Sequence, residues 1–134
     1  DVESRGLGDV YKRQEKQIGQ DIRADFEQLH FTGGYDHNYV LGRSGEKKIM
    51  ANAYCRESGI ALEAATDCCG VQFYAGNFIG EQTGKGGAAY HDRSAFCLES
   101  QFYPNAVNEP DFPSPVVKAG DTYHTETSYQ FYLR

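Results

Sequence analysis

At 134 residues, with 40% hydrophobic and 24% charged residues, the chain suits one soluble globular domain and is short for two. Its formal charge of −6 argues against a nucleic-acid partner, whose phosphates call for clustered Lys and Arg. No apolar run is long enough for a membrane-crossing helix and no signal-peptide pattern opens the chain, so a cytoplasmic protein with no membrane partner is expected.

Ten tyrosines, eight phenylalanines, 15 glycines and no tryptophan favour strands separated by turns, and hence an all-β domain. The opening stretch, DVESRGLGDVYKRQ at 1–14, has neither strand alternation nor a continuous helical stripe, and the only methionine is Met50. It looks like the translated remnant of a sequencing adapter, with a disordered linker as the alternative, and residues 15–134 are expected to carry the domain. EKKIMANAYC at 46–55 reads as a strand, where Ile49, Ala51, Ala53 and Cys55 alternate with Lys48, Met50, Asn52 and Tyr54. RESG at 56–59 supplies turn chemistry, and GIALEAAT at 59–66 reads as the returning strand of a hairpin. A short strand is expected over 71–74, then a Gly-rich loop over 80–87. SAFCLESQF at 94–102 reads as a strand with Ala95, Cys97, Glu99 and Gln101 on one face, and Phe96, Leu98 and Phe102 on the other. The Pro-rich stretch 104–115 excludes a helix or central strand and predicts a long ordered loop or a series of turns. A last strand over 122–133 sets Tyr123, Tyr129, Phe131 and Leu133 opposite Glu126, Ser128 and Gln130.

The candidate motifs each have a plain structural alternative. GEQTGKGG at 80–87 fails as a phosphate loop, because Gly80 and Gly84 are too close and Lys85 is followed by Gly86 rather than Ser or Thr. His30, His37, His91 and His124 show no metal-ligand spacing. Cys55, Cys68, Cys69 and Cys97 include no C-x-x-C pair and read as reduced thiols rather than as disulfides or a zinc site. Asp36-His37-Asn38 either caps a turn before a strand at 39–41 or presents a carboxylate among aromatics, where it can accept from two vicinal sugar hydroxyls. Glu99 is either an ordinary exposed strand residue or a group lining a concave site, with the small Ala95 and Cys97 leaving room for a ligand. Partial burial there would suit it to general-base work near neutral pH.

Taken in order, QIGQDI (17–22), GGYDHNYVL (33–41), GVQFYAGNFIG (70–80), GKGGAAYHDRSAFCLESQFYPNAVNEPDFPSP (84–115) and VVKAGDTYHTETSYQFYL (116–133) resemble the C-terminal part of the aldose 1-epimerase (galactose mutarotase) family. The resemblance covers nearly all of 15–134. It implies the C-terminal part of an antiparallel β-sandwich, the supersandwich of that family, with an open sugar-binding cleft. The implied reaction is acid/base anomer interconversion of a free aldohexose such as galactose or glucose, without a cofactor or a metal. Residue by residue, it implies Glu99 of LESQ as the catalytic base, and Asp36 of YDHN and Gln72 of GVQFY as substrate-binding groups. No residue here matches the family's acid histidine, so the chain alone is expected to be inactive. A non-catalytic sugar-binding protein on the same scaffold and a hexose-6-phosphate epimerase are the alternatives. Three departures from the family wording fall at Cys69, where Pro is common, at Ser100, where Thr is usual, and at Tyr103-Pro104-Asn105 in place of Phe-Pro-Asp.

Overall fold

The computed structural model describes residues 15–134, and the expectation for 1–14 lies outside the described residues. Strands dominate, as the composition predicts. Among the described residues they are β1 (Asp36–Val40), β2 (Lys48–Tyr54), β3 (Ile60–Thr66), β4 (Gly70–Tyr74), β5 (Gln82–Thr83), β6 (Ala89–Tyr90), β7 (Cys97–Gln101) and β8 (Thr127–Leu133), with one short helix, α1 (Glu27–Thr32). The strands form sheets ordered β1-β4-β7, β2-β3-β8 and β5-β6. The described chain divides into two compact units, one from Tyr39–Val71 with Ser100–Arg134 and the other from residues 15–38 with Gln72–Glu99.

The first unit is built on the expected hairpin. β2 and β3 pair antiparallel, and β8 adds antiparallel to the free side of β3. The turn closes where Gly59 takes a positive φ of 70° and its N–H donates to Cys55 O at 2.9 Å, a conformation glycine adopts without Cβ strain. The strict alternation expected of β2 does not hold, because the register shifts between Ile49 and Ala51. With Met50 as the extra residue, Ile49 opposes Ala65 while Ala51 and Ala53 oppose Ala64 and Leu62, so Ile49 leaves the face shared by the two alanines. β8 is shorter than expected. Its would-be start is held by Asp67, whose carboxylate accepts from Thr125 Oγ1 at 2.6 Å and from the Glu126 N–H at 2.9 Å, so strand pairing begins only at Thr127. Tyr129, Phe131 and Leu133 oppose Ala64, Leu62 and Ile60 in register, yet Phe131 is 68% and Leu133 81% exposed. That apolar face is therefore laid out as expected but not covered.

The centre of this unit is polar as well as apolar. Ala61 and Ala64 are buried together with Thr66, whose hydroxyl lies 3.0 Å from Thr127 Oγ1 and accepts the buried Cys68 N–H at 3.2 Å. Thr127 Oγ1 lies in turn 2.8 Å from Ser100 Oγ. Ser100 thus keeps the one group, a hydroxyl, that threonine would supply. Thr66→Val keeps the shape but orphans a buried N–H, a loss of about 1–3 kcal/mol. Urea unfolding should show that loss, with Thr66→Ser close to wild type. The stretch 104–115 forms turns, with the Tyr103 and Phe112 rings edge-to-face at 5.2 Å and Asn105 at φ 61°, a left-handed position that asparagine tolerates well. All four cysteines are free, Cys68 and Cys69 buried, Cys55 and Cys97 exposed.

The second unit contains the helix, which the sequence pattern does not announce. Six residues with no side-chain N-cap bond carry too little periodic signal, and the segment stops where Gly33 turns left-handed at φ 63°. The Gly-rich loop is more ordered than expected. β5 and β6 pair antiparallel across a single 3₁₀ turn at Lys85–Gly87, with Gly86 and Gly87 at φ 70° and 81° permitting the reversal.

Candidate functional site

The second unit holds Asp36, Gln72 and Glu99, the three residues named from the sequence. Gly33 and Gly34, at φ 63° and 154°, complete the chain reversal before Asp36, so Asp36-His37-Asn38 opens strand β1 rather than capping a turn. The Ala75 N–H donates to Tyr35 O at 2.9 Å, and the Asn77 amide donates to the same carbonyl at 3.0 Å. These bonds fix the start of β1 against the end of β4. They bring Asp36 and Gln72 into direct contact, the Gln72 Nε2 amide donating to Asp36 Oδ1 at 2.8 Å with both side chains half-buried. An amide N–H on one carboxylate oxygen orients the group and leaves its other oxygen able to accept.

Because side chains alternate along a strand, His37 and Phe73 face away from Asp36 and Gln72 and belong to an aromatic cluster of their own. His37 stacks on Phe26 at 6.3 Å and meets Tyr35 edge-on at 5.6 Å, while Phe73 lies 5.5 Å from Tyr35 and 6.1 Å from Phe96. Burial holds the His37 imidazole below its ordinary pKa of 6.5, and the neighbouring Asp36 charge only partly opposes that. Its Nδ1 accepts the Asp36 N–H at 3.0 Å, a bond that needs this nitrogen unprotonated. Because the folded pKa is depressed, the stabilisation is fully present above about 6.5 and is lost as pH falls through the lower folded value. We expect wild type to lose stability across that window and His37→Gln to lose less, as read by thermal unfolding at stepped pH. Equal slopes for both proteins would contradict it. No sequence pattern singled out His37 beyond its membership of YDHN.

Glu99 lies on β7, two strands from Asp36 in the order β1-β4-β7, with Gln72 on the strand between. The alternation expected there is observed, since Leu98 and Ser100 are more covered than Cys97 and Glu99. Of the two readings of Glu99, an exposed strand residue or a group lining a concave site, the partial burial that would suit general-base work is not observed. Glu99 is exposed, as are Ala95 and Cys97, because small neighbours on an open strand face cannot screen a long side chain. A cavity of about 450 Å³ in the same unit is lined by Ile22, Arg23, Ala75, Arg93, Ser94 and Phe96, among others, and by none of the three named residues. Among the described residues no three His, Cys, Asp or Glu side chains converge on a point that could hold a metal ion.

The family model described as aldose 1-epimerase matches residues 1–130. The chain is 45% identical over 106 residues to a galactose mutarotase of Sus scrofa, covering 78% of this chain and 31% of that protein. It is 46% identical to the galactose mutarotase of Homo sapiens, over 73% of this chain and 29% of that protein. Against an aldose 1-epimerase of Escherichia coli K12 it is 34% identical over 89% of this chain and 35% of that protein. The crystal structure of the GalM/aldose epimerase homologue from C. elegans superposes with a TM-score of 0.65 at 28% identity, covering 73% of this chain and 30% of the other. The chain thus spans about a third of the length of the curated relatives it matches.

Proposed function

The chain belongs to the aldose 1-epimerase family, and from that premise we propose that it forms part of an enzyme interconverting the α and β anomers of free aldohexoses such as galactose and glucose. The observation that carries the reading is the 2.8 Å hydrogen bond from the Gln72 amide to Asp36, which orients the carboxylate. Vicinal sugar hydroxyls need acceptors of this kind.

In the proposed reaction Glu99 accepts the proton of the C1 hydroxyl. The electrons left on O1 form the carbonyl, the C1–O5 bond breaks, and O5 takes a proton from an acid. Rotation about C1–C2 and reversal of the same steps close the ring on the other face of the aldehyde. Each proton transfer by a positioned group contributes about 10²–10⁴-fold. The exposed position of Glu99 on β7 leaves its carboxylate accessible to a substrate hydroxyl. Asp36 and Gln72 hold the remaining hydroxyls. The acid matches no residue of this chain, so activity is assigned to the longer protein of which the chain would be part.

Asp36→Asn tests the binding role. The amide keeps the size of the carboxylate and can still accept from Gln72, but it loses the charge that strengthens hydroxyl contacts, a difference of about 1–2 kcal/mol. Polarimetry on the complete protein should show KM for α-galactose raised about 10-fold. An unchanged KM would remove Asp36 from the site.

A further inference from the structure

The 450 Å³ cavity in this unit differs in its lining from the Asp36–Gln72 pair. Ile18, Ile22, Ala75, Ala95 and Phe96 make much of its lining apolar, and Arg23 and Arg93 line it as well. In a chain of net charge −6, two arginines on one cavity need a reason. The acidic neighbours of Arg23 do not neutralise it: Asp21 pairs with Lys16 at 2.7 Å, and Asp25 faces His30 at 3.4 Å. Among the described residues neither arginine takes part in an ion pair. Arg93 is also held in an uncommon backbone conformation. Its φ is 67°, its N–H donates to Gly76 O at 2.7 Å, and its Nη2 donates to Gly33 O. A left-handed non-glycine residue costs about 1–2 kcal/mol, and such strain concentrates where a side chain is presented to a ligand.

We propose that this cavity binds an organic phosphate carrying a flat ring, of the nucleoside monophosphate class, separately from the sugar site. The phosphate sits between Arg23 and Arg93, for which the planar guanidinium fork is suited, and the ring lies against Phe96 and the aliphatic floor. The volume is within the roughly 300–1,000 Å³ of small-molecule pockets. A free sugar would leave its hydroxyls against five apolar side chains, and inorganic phosphate would leave those side chains unused.

Calorimetric titration of the protein with AMP, adenosine and inorganic phosphate tests this, with circular dichroism to verify folding. AMP should bind at least about 10-fold more tightly than either of the others, since head and ring each contribute. Arg23→Gln, an exposed residue with no bond to lose, should weaken AMP about 10-fold or more, and Phe96→Leu should weaken AMP while leaving inorganic phosphate unchanged. Asp36→Asn should leave AMP binding intact. No measurable AMP binding, inorganic phosphate matching AMP, an Arg23→Gln variant that binds normally, or loss of AMP binding in Asp36→Asn would each overturn the proposal. None of these outcomes bears on anomer interconversion, which stands or falls on Glu99.

Discussion

Replacing Glu99 by Gln is expected to lower kcat for the interconversion of α-galactose by about 10²–10⁴-fold in the complete protein, with KM little changed. Glutamine keeps the length and the hydrogen-bonding shape of glutamate but cannot take a proton, so the ground-state complex survives and the transition state does not. Because Glu99 is exposed on β7, the substitution disturbs no packing among the described residues. Glu99→Asp, which keeps the base but shortens its reach, should retain part of the rate. Wild-type rates in Glu99→Gln would remove the residue from the reaction.

The largest expected effect on stability is at Gly76, where alanine costs about 3 kcal/mol. Gly76 is buried at φ 68°, so any side chain there is strained before it meets a neighbour. An added Cβ would then stand 2.5 Å from the backbone oxygen of Ala95 and 2.9 Å from Ile79 Cδ1. The isoleucine methyl can rotate away, but the carbonyl belongs to the segment that carries Arg93 and Phe96 and cannot move without shifting them. Gly86→Ala is the control, since φ is similar there at 70° but the Cβ would enter open space, so only the backbone cost of about 1–2 kcal/mol remains. Equal losses for the two variants in denaturant titrations would contradict the collision with Ala95.

Local pattern made the β2–β3 hairpin legible, because alternation over two short runs and a glycine-ended turn between them suffice to specify it. The same pattern could not show the bulge at Met50, since an extra residue leaves no mark in hydrophobicity and is settled by pairing with β3. The start of β8 is beyond local pattern for a similar reason. Thr122–Glu126 has strand composition, but Asp67, far away in sequence, takes the Glu126 N–H. Asp36, Gln72 and Glu99 could be named because the wording of long motifs singled them out. That Gln72 donates to Asp36 was not legible, as a contact across 36 positions depends on the register of β1 against β4. The Arg23–Arg93 cavity left no signal at all, because two single arginines 70 residues apart form no motif and only the fold brings them to one cavity.

The most direct measurement is a structure of the complete protein with galactose bound. The C1 hydroxyl should lie within about 2.6–3.2 Å of a Glu99 carboxylate oxygen, with other hydroxyls of the same sugar on Asp36 and Gln72. A sugar held elsewhere, or bound with its anomeric hydroxyl out of reach of Glu99, would contradict it.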